Sequence, residues 1–435
     1  MTQGNTQTGS ASEVVGKEPF YGWQNVWVSF ISYGLAFGFV YYAYAVVFPV
    51  MIKDMGWARG DASVAQTIRG LFSVLWAPLV GYLIVKWGVR RTILSGGMVL
   101  CLALVLMATV MYNIWVWTII WGLLAGFGFA FLGPLVYSSV ATYWFNKYKG
   151  TALGIIMTGA AVGGFIGQPA LTWVMKQYTS WQMGWGAAAV ATFFAVIIAV
   201  LLKNKPEDHG QHKDGISPER AKQMEATATK KKVLTYRTSV NFTTKEALKT
   251  HQFWILSFNI LMNYSALLML ISHGVLHFLD MGLTRMQAAY IMSFYFIGGA
   301  ISRVPMGWLS DRIEGRWLLI LTDALSLATM AYIWQSPNVT GLAVASFIFG
   351  FSYGANYTLV PLVLGSYYGS TNFPKIFGIT LPICYTLGTL VPVIAGYTHQ
   401  LLKSYDNFFI GLLILLALCT VVTFAATPAK KPASA

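Results

Sequence analysis

Charge is what this sequence has least of. Only 10% of its 435 residues are Asp, Glu, Lys or Arg, against about a quarter in an ordinary soluble domain. Hydrophobic residues make up 56%. A chain this long and this poor in ionic groups cannot wet a soluble surface, which excludes the soluble-globular and disordered classes. Acids are scarcer still, and the formal net charge is +14. In a soluble protein that excess would suggest nucleic acid. Here the positive residues stand between apolar runs, where topology signals stand, and no nucleic-acid partner is expected.

Cysteine is nearly missing. Cys101, Cys384 and Cys419 all fall inside apolar runs, with no CxxC pair and no His/Cys cluster. That excludes a disulfide framework, and no metal or other cofactor is expected. The start lacks the basic stretch and apolar core of a signal peptide; residues 1–20 read as a polar, disordered tail. There is no HExxH, no GxSxG and no membrane-embedded pair of carboxylates, so no enzyme is expected.

What the sequence does have is long apolar runs. A helix crosses the hydrocarbon core in about 20 residues. Twelve segments meet that length: 24–52, 63–85, 92–111, 116–141, 150–174, 184–202, 252–278, 286–309, 317–334, 341–366, 376–398 and 405–425. The expected fold is an all-α membrane protein of twelve transmembrane helices. In "GTALGIIMTGAAVGGFIGQP", Gly154, Gly159, Gly163 and Gly167 form a smooth stripe that lets neighbouring helices approach closely.

Lys and Arg set the orientation. With both termini cytoplasmic, the outer side carries only Lys53, Arg59, Lys176, Arg285 and Lys403, and most of the rest lie inside. The organisation is a cytoplasmic tail over 1–20, a six-helix half over 21–202, a cytoplasmic linker over 203–249, a second half over 250–426, and a tail over 427–435. The linker is too short for a domain. "SPERAKQMEATATKKK" (217–232) has a helical start, and Thr243 with Glu246 fits a capping box leading into the seventh segment.

The halves look duplicated. "GYLIVKWGVRR" (81–91) follows the second segment and "GWLSDRIEGRW" (307–317) the eighth. Gly81 and Gly307 are 226 residues apart; Pro134 and Pro361, in a second pair of matching stretches, are 227 apart. A near-constant offset at two landmarks indicates two pseudo-symmetric six-helix halves.

One cation is misplaced for a topology signal. In "ISRVPMGWLSDR" (301–312), Arg303 lies eight residues before Asp311, roughly 12 Å deeper along a helix. Snorkelling is strained at that depth. An intramembrane arginine faces a cavity, pairs with an acid or binds an anion. Asp323 on the ninth segment is the candidate acid, disfavoured because it lies near the start of its segment. A guanidinium fork suits a carboxylate, donating two parallel hydrogen bonds. Arg69, about two turns past Asp61, is the other buried cation; snorkelling and function are both open to it.

Polar and aromatic residues complete the candidates. Asn259 and Asn263 are four apart and expected to face a cavity, with Tyr42, Tyr44, Phe131, Tyr353, Tyr357 and Tyr385 as possible lining. His273 and His277 share a helix face. No third ligand accompanies them for a metal, but histidine can carry protons near physiological pH.

The pattern G-x-x-x-D-R followed by a turn with G-R is carried by Gly307, Asp311, Arg312, Gly315 and Arg316, with one extra residue in the turn. It resembles the loop signature of the major facilitator superfamily. The first copy keeps Gly81, Lys86, Gly88, Arg90 and Arg91, but Val85 replaces the acid. The resemblance implies gating roles for Gly307, Asp311, Arg312, Arg316, Gly81 and Arg90. "FYGWQNV", "YAVVFPVMIKDMGW", "YWFNKYKGTALG", "THQFWIL", "FGFSYGANYTLVPLVLG" and above all "GGAISRVPMGWLSDR" resemble the monocarboxylate porter and oxalate/formate exchanger branch.

The branch implies a secondary transporter working by alternating access in the cell membrane, as a monomer. Its partners are the lipid bilayer and a small organic anion such as lactate, pyruvate, acetate or formate, with protons as a candidate coupling ion. In that branch the arginine matching Arg303 binds the substrate carboxylate, Tyr353 and Tyr385 match cavity positions, and His273 matches a common histidine. Two departures narrow this. Cys384 stands where oxalate/formate exchangers carry a second cation, disfavouring a dicarboxylate. Gly299 stands where proton-coupled porters often carry an acid, leaving proton symport and anion exchange both open. The rival readings are an oxalate-type dicarboxylate exchanger and a substrate-sensing receptor on a transporter scaffold.

Overall fold

The computed structural model describes residues 19–57, 59–216, 235–238 and 240–428. Its secondary structure is helical throughout the spans, and twelve spans follow one another. The first runs through Gly22–Tyr33, Gly34–Phe39 and Val40–Asp54, its middle a wide π turn. The second is Arg59–Leu75 with Ala77–Trp87, and the third Val89–Thr109. The fourth passes from Ile114 to Phe131 through another wide turn at Thr118–Ala125, then restarts as Pro134–Trp144. The fifth is Lys149–Tyr178 and the sixth Trp181–Ala199. The seventh to tenth are His251–Asp280, Arg285–Ser310, Gly315–Gln335 and Val339–Tyr368. The eleventh is Phe373–Gly388 with Val391–Leu402, and the twelfth Asp406–Thr423.

Each span overlaps its expected segment, mostly running a few residues further at both ends. The breaks have local causes. Pro78, Pro134 and Pro392 stand at the first or second position of the helices that restart after breaks, where a missing backbone N–H costs nothing. Gly88, at φ +85°, makes the turn between the second and third spans in a conformation that other residues adopt only under strain. Among the described residues, eight helices are long and apolar enough to cross a bilayer alone, and the second span, bent by 45°, makes a ninth.

The glycine stripe of the fifth span allows close backbone contact. A Cβ on Gly159 or Gly163 would strike the backbone of Phe30 or Gly34 in the first span. One apolar core runs through the first six spans and continues into the linker end of the last six; the far end of the last six has a core of its own. The two halves are therefore packed together at the linker end.

The described parts of the linker tie that end down. Asp214 accepts the backbone N–H groups of Asn146, Lys147 and Tyr148, just before the fifth span. Across the seam Lys213 donates to Ser370 Oγ at 2.7 Å, and Asn372 donates to the Phe242 carbonyl. The capping box of Thr243 and Glu246 forms and opens the short helix Thr244–Leu248. The helix expected over 217–232 lies outside the described residues.

Candidate functional site

Where the last half meets Pro134 of the first lies a cavity walled by Asn263, Tyr264, Tyr353, Asn356, Tyr357 and Tyr385 together with apolar side chains. Tyr264 and Tyr385 pack with ring centroids 4.4 Å apart, and Tyr353 and Tyr357 with centroids 6.3 Å apart. The seventh, tenth and eleventh spans supply these groups, and Pro134 of the fourth span reaches the same wall.

Arg303 stands at the edge of this wall. It lies seven residues before Ser310, so about 10 Å inside the linker end of its helix. Its guanidinium carbon is 5.3 Å from the ring centroid of Tyr357. One terminal nitrogen donates to the Met157 carbonyl of the fifth span at 2.5 Å, so the group reaches across to the other half. Its Nε is buried without a hydrogen bond. Among the described residues no carboxylate pairs with it.

Asp323 is occupied elsewhere. It is fully buried and accepts from Asn259 at 2.7 and 2.9 Å, from Asn263 at 2.9 Å and from Thr423 at 2.9 Å. Asn356 donates to Asn259 at 2.8 Å, linking the network to the cavity wall. Asn263 therefore both lines the cavity and holds Asp323, whereas Asn259 lies behind it. Asp323→Ala would leave the two amides and the Thr423 hydroxyl without this acceptor in the core. At about 1–3 kcal/mol for each unsatisfied group, the variant should lose several kcal/mol of stability, while Asp323→Asn, which keeps one acceptor, should lose less. Thermal unfolding of the detergent-purified variants measures the difference.

The remaining sequence candidates are spread out. Phe131 is fully buried, stacks on Phe127 at 4.3 Å and fills the space beside Gly96, so it packs the fourth span against the third. Tyr44 stacks on Phe48 and Trp121 within the first half. Tyr42 belongs to the first span, and its side chain lies outside what the structure describes. His273 lies on the seventh span nine residues past Tyr264, toward the far end. Its Nδ1 is 3.0 Å from the Tyr405 hydroxyl and its Nε2 2.9 Å from the Pro392 carbonyl. A carbonyl only accepts, so Nε2 carries a proton and donates there. His277 contacts the Ile333 carbonyl instead, and no metal-holding cluster of His, Cys, Asp or Glu occurs among the described residues.

The loop-signature residues meet at the linker end. Asp311 caps the start of the fifth span, accepting Gly150 N–H at 2.7 Å, Thr151 N–H at 2.8 Å and the Thr151 hydroxyl at 2.7 Å. This places a carboxylate on the positive end of a helix from the other half. Arg237 of the linker stands 3.6 Å from the same carboxylate. Burial pushes the Asp311 carboxyl above its ordinary range, opposed by these donors and by Arg237. Gly307 and Gly150 are in backbone contact, with no room for a Cβ on either.

The other signature residues are local. Arg312 lies over the Trp308 ring at 3.4 Å, and Arg316 pairs with Glu314 at 3.7 Å. In the first copy Gly81 abuts the Pro374 carbonyl of the eleventh span, and the Arg90 backbone donates to Asn204. Val85 offers that helix no oxygen.

Tyr264, Asn356 and the Asp323 network did not stand out in the sequence. Tyr353, Asn356 and Tyr357 share the spacing i, i+3, i+4, which puts them on one helix face and could have signalled Asn356. Nothing local signals the partners of Asp323, which come from two other spans.

Twelve spans in two halves, with a cavity where they meet and a helix cap joining them at one end, are the layout of a membrane transporter. The sequence model of the Major Facilitator Superfamily matches residues 29–390 and 274–435, and the chain belongs to that family. Its relatives include "Monocarboxylate transporter 13" of Bos taurus, 23% identical over 95% of this chain and 92% of that protein. They also include "Monocarboxylate transporter 12" of Homo sapiens, 26% identical over 66% of this chain and 58% of that protein. These place it in the monocarboxylate-porter branch, as its motifs implied. The crystal structure of the transporter FucP in the outward conformation shares the fold, with a TM-score of 0.69 and 12% identity, covering 93% of this chain and 98% of that one. The chain is a multi-pass membrane transporter and not an enzyme.

Proposed function

We propose that this transporter carries a small monocarboxylate, such as lactate, pyruvate, acetate or formate, across the cell membrane by alternating access, with both termini cytoplasmic. The observation that carries the reading is Arg303, an intramembrane guanidinium at the cavity edge with its Nε unbonded and, among the described residues, no acid beside it. A carboxylate entering the cavity supplies the missing counter-charge, and low local dielectric strengthens the pair. Tyr353, Tyr385 and Asn263 then shape the pocket around the rest of the molecule. The latch of Asp311 on the fifth span closes the cytoplasmic side and must release for the acid to leave there.

The test is a substrate panel in proteoliposomes. Labelled lactate, pyruvate, acetate and formate should enter in competition with one another, and neutral sugars should not compete. A panel in which no carboxylate is taken up sinks the reading. Coupling is either proton symport, with His273 the candidate carrier, or exchange for an internal anion. Under symport an inward proton gradient drives accumulation, and His273→Gln abolishes that stimulation while facilitated exchange persists. Under exchange the gradient is without effect and preloaded acid accelerates uptake.

A further inference from the structure

A second arginine is buried in the other half. Arg69 lies on the second span, about 15 Å from that helix's far end at Arg59. Snorkelling would expose its head, yet the residue is only 8% exposed. Its guanidinium carbon lies 4.7 Å from the ring centroid of Phe129, 5.4 Å from that of Tyr41 and 5.8 Å from that of Trp121. Its Nε donates to Gln66 Oε1 at 3.0 Å, and the same oxygen takes the Trp121 indole N–H at 2.7 Å. Gln66 and the rings thus fix the fork from behind. Among the described residues no acid pairs with Arg69, and no hydrogen bond leaves its two terminal nitrogens.

The helix that carries Arg69 packs against Phe373–Gly388 of the eleventh span, which brings Tyr385 to the cavity. Tyr264 in turn packs on Tyr385, and both line the cavity beside Tyr357, the ring under Arg303. The first half and the last half therefore each carry one arginine on a helix that packs against the cavity walls. Two like charges facing each other in a low dielectric oppose closure, and an anion between them removes that opposition.

We propose that Arg69 is a second anion contact of the transport cleft, supplied by the first six spans, so that a carboxylate substrate is engaged from both halves. An anion held by Arg303 alone would leave the first half indifferent to its arrival. Engagement by both makes occupancy itself the signal for the halves to move together. This rests on the carboxylate reading above and adds a residue to it.

The experiment uses the full chain in proteoliposomes, with labelled lactate as the probe, in wild type, Arg69→Gln, Arg69→Lys and Arg303→Gln. Losing one charge-assisted contact should raise the KM of Arg69→Gln about tenfold or more, with kcat reduced far less. Arg69→Lys restores a cation and should recover most of the KM. If the arginine only props up its aromatic cage, Arg69→Lys fails to rescue, and both variants lose kcat and melting temperature with KM unchanged; that result overturns the proposal. So does a wild-type KM in Arg69→Gln. If Arg303→Gln loses uptake while Arg69→Gln keeps its KM, only this inference falls. If wild type takes up no carboxylate, the functional reading itself falls.

Discussion

Arg303→Gln is expected to cut carboxylate uptake by about a hundredfold or more while the protein still inserts and folds. A bidentate pair with a carboxylate combines two charge-assisted hydrogen bonds, each worth about 1.5–3 kcal/mol. Gln ends where the Arg Nε stands, so the contact with the Met157 carbonyl goes with the charge, and the melting temperature reports what that single contact is worth. Arg303→Lys keeps the charge but loses the fork, and should fall between Gln and wild type. The measurement is initial uptake of labelled lactate, with melting temperature as the control for folding. Normal uptake by a well-folded Arg303→Gln would make the arginine a structural group bonded to Met157 and nothing more.

Gly150→Val should have the second-largest effect, for a steric reason. A Cβ at Gly150 collides with the Gly307 carbonyl and with Ser310 Oγ, so a branched side chain holds the halves apart at the linker end. The start of the fifth span would also move away from Asp311, weakening the cap made by Gly150 and Thr151. Transport should fall at least about tenfold, because the proposed alternating access needs both ends to close in turn. Carboxylate binding should survive, since the cavity lies deeper. Alkylation of a cysteine placed at Ser310 should become faster in the variant. Slow alkylation together with a wild-type transport rate would show that the linker end closes without this contact. Asp311→Asn should act in the same direction but less strongly, because it keeps the geometry and loses only the charge at the helix end.

The pattern of what could be read locally follows the range of the interactions. Spans are legible because crossing a bilayer imposes length and apolarity on each segment separately. The capping box at Thr243 and Glu246 is legible because its partners are three residues apart. Arg303 is legible because an intramembrane guanidinium without a sequence-local acid is costly. Phe131 and Asn259 show the limit. Both sit on helices that line the cleft in part, and only their rotation against neighbouring spans turns Phe131 onto Gly96 and Asn259 toward Asp323. Spacing along one helix names a face; it does not say what that face meets.

The sequence by itself determined the class of this protein, its twelve spans, the duplicated halves, the branch it resembles and one arginine as the candidate anion contact. Each of those follows from the local solvent, from repetition or from a short motif. Tertiary structure alone decided that Asp323 is held by Asn259, Asn263 and Thr423 rather than by Arg303, and that Asp311 caps a helix of the opposite half. It also decided that Arg69 turns into an aromatic cage within the first half instead of toward the membrane surface. The reason is common to all three. A buried charge takes whatever partners the packing of several helices brings to it, and those partners lie from three residues to more than a hundred away along the chain.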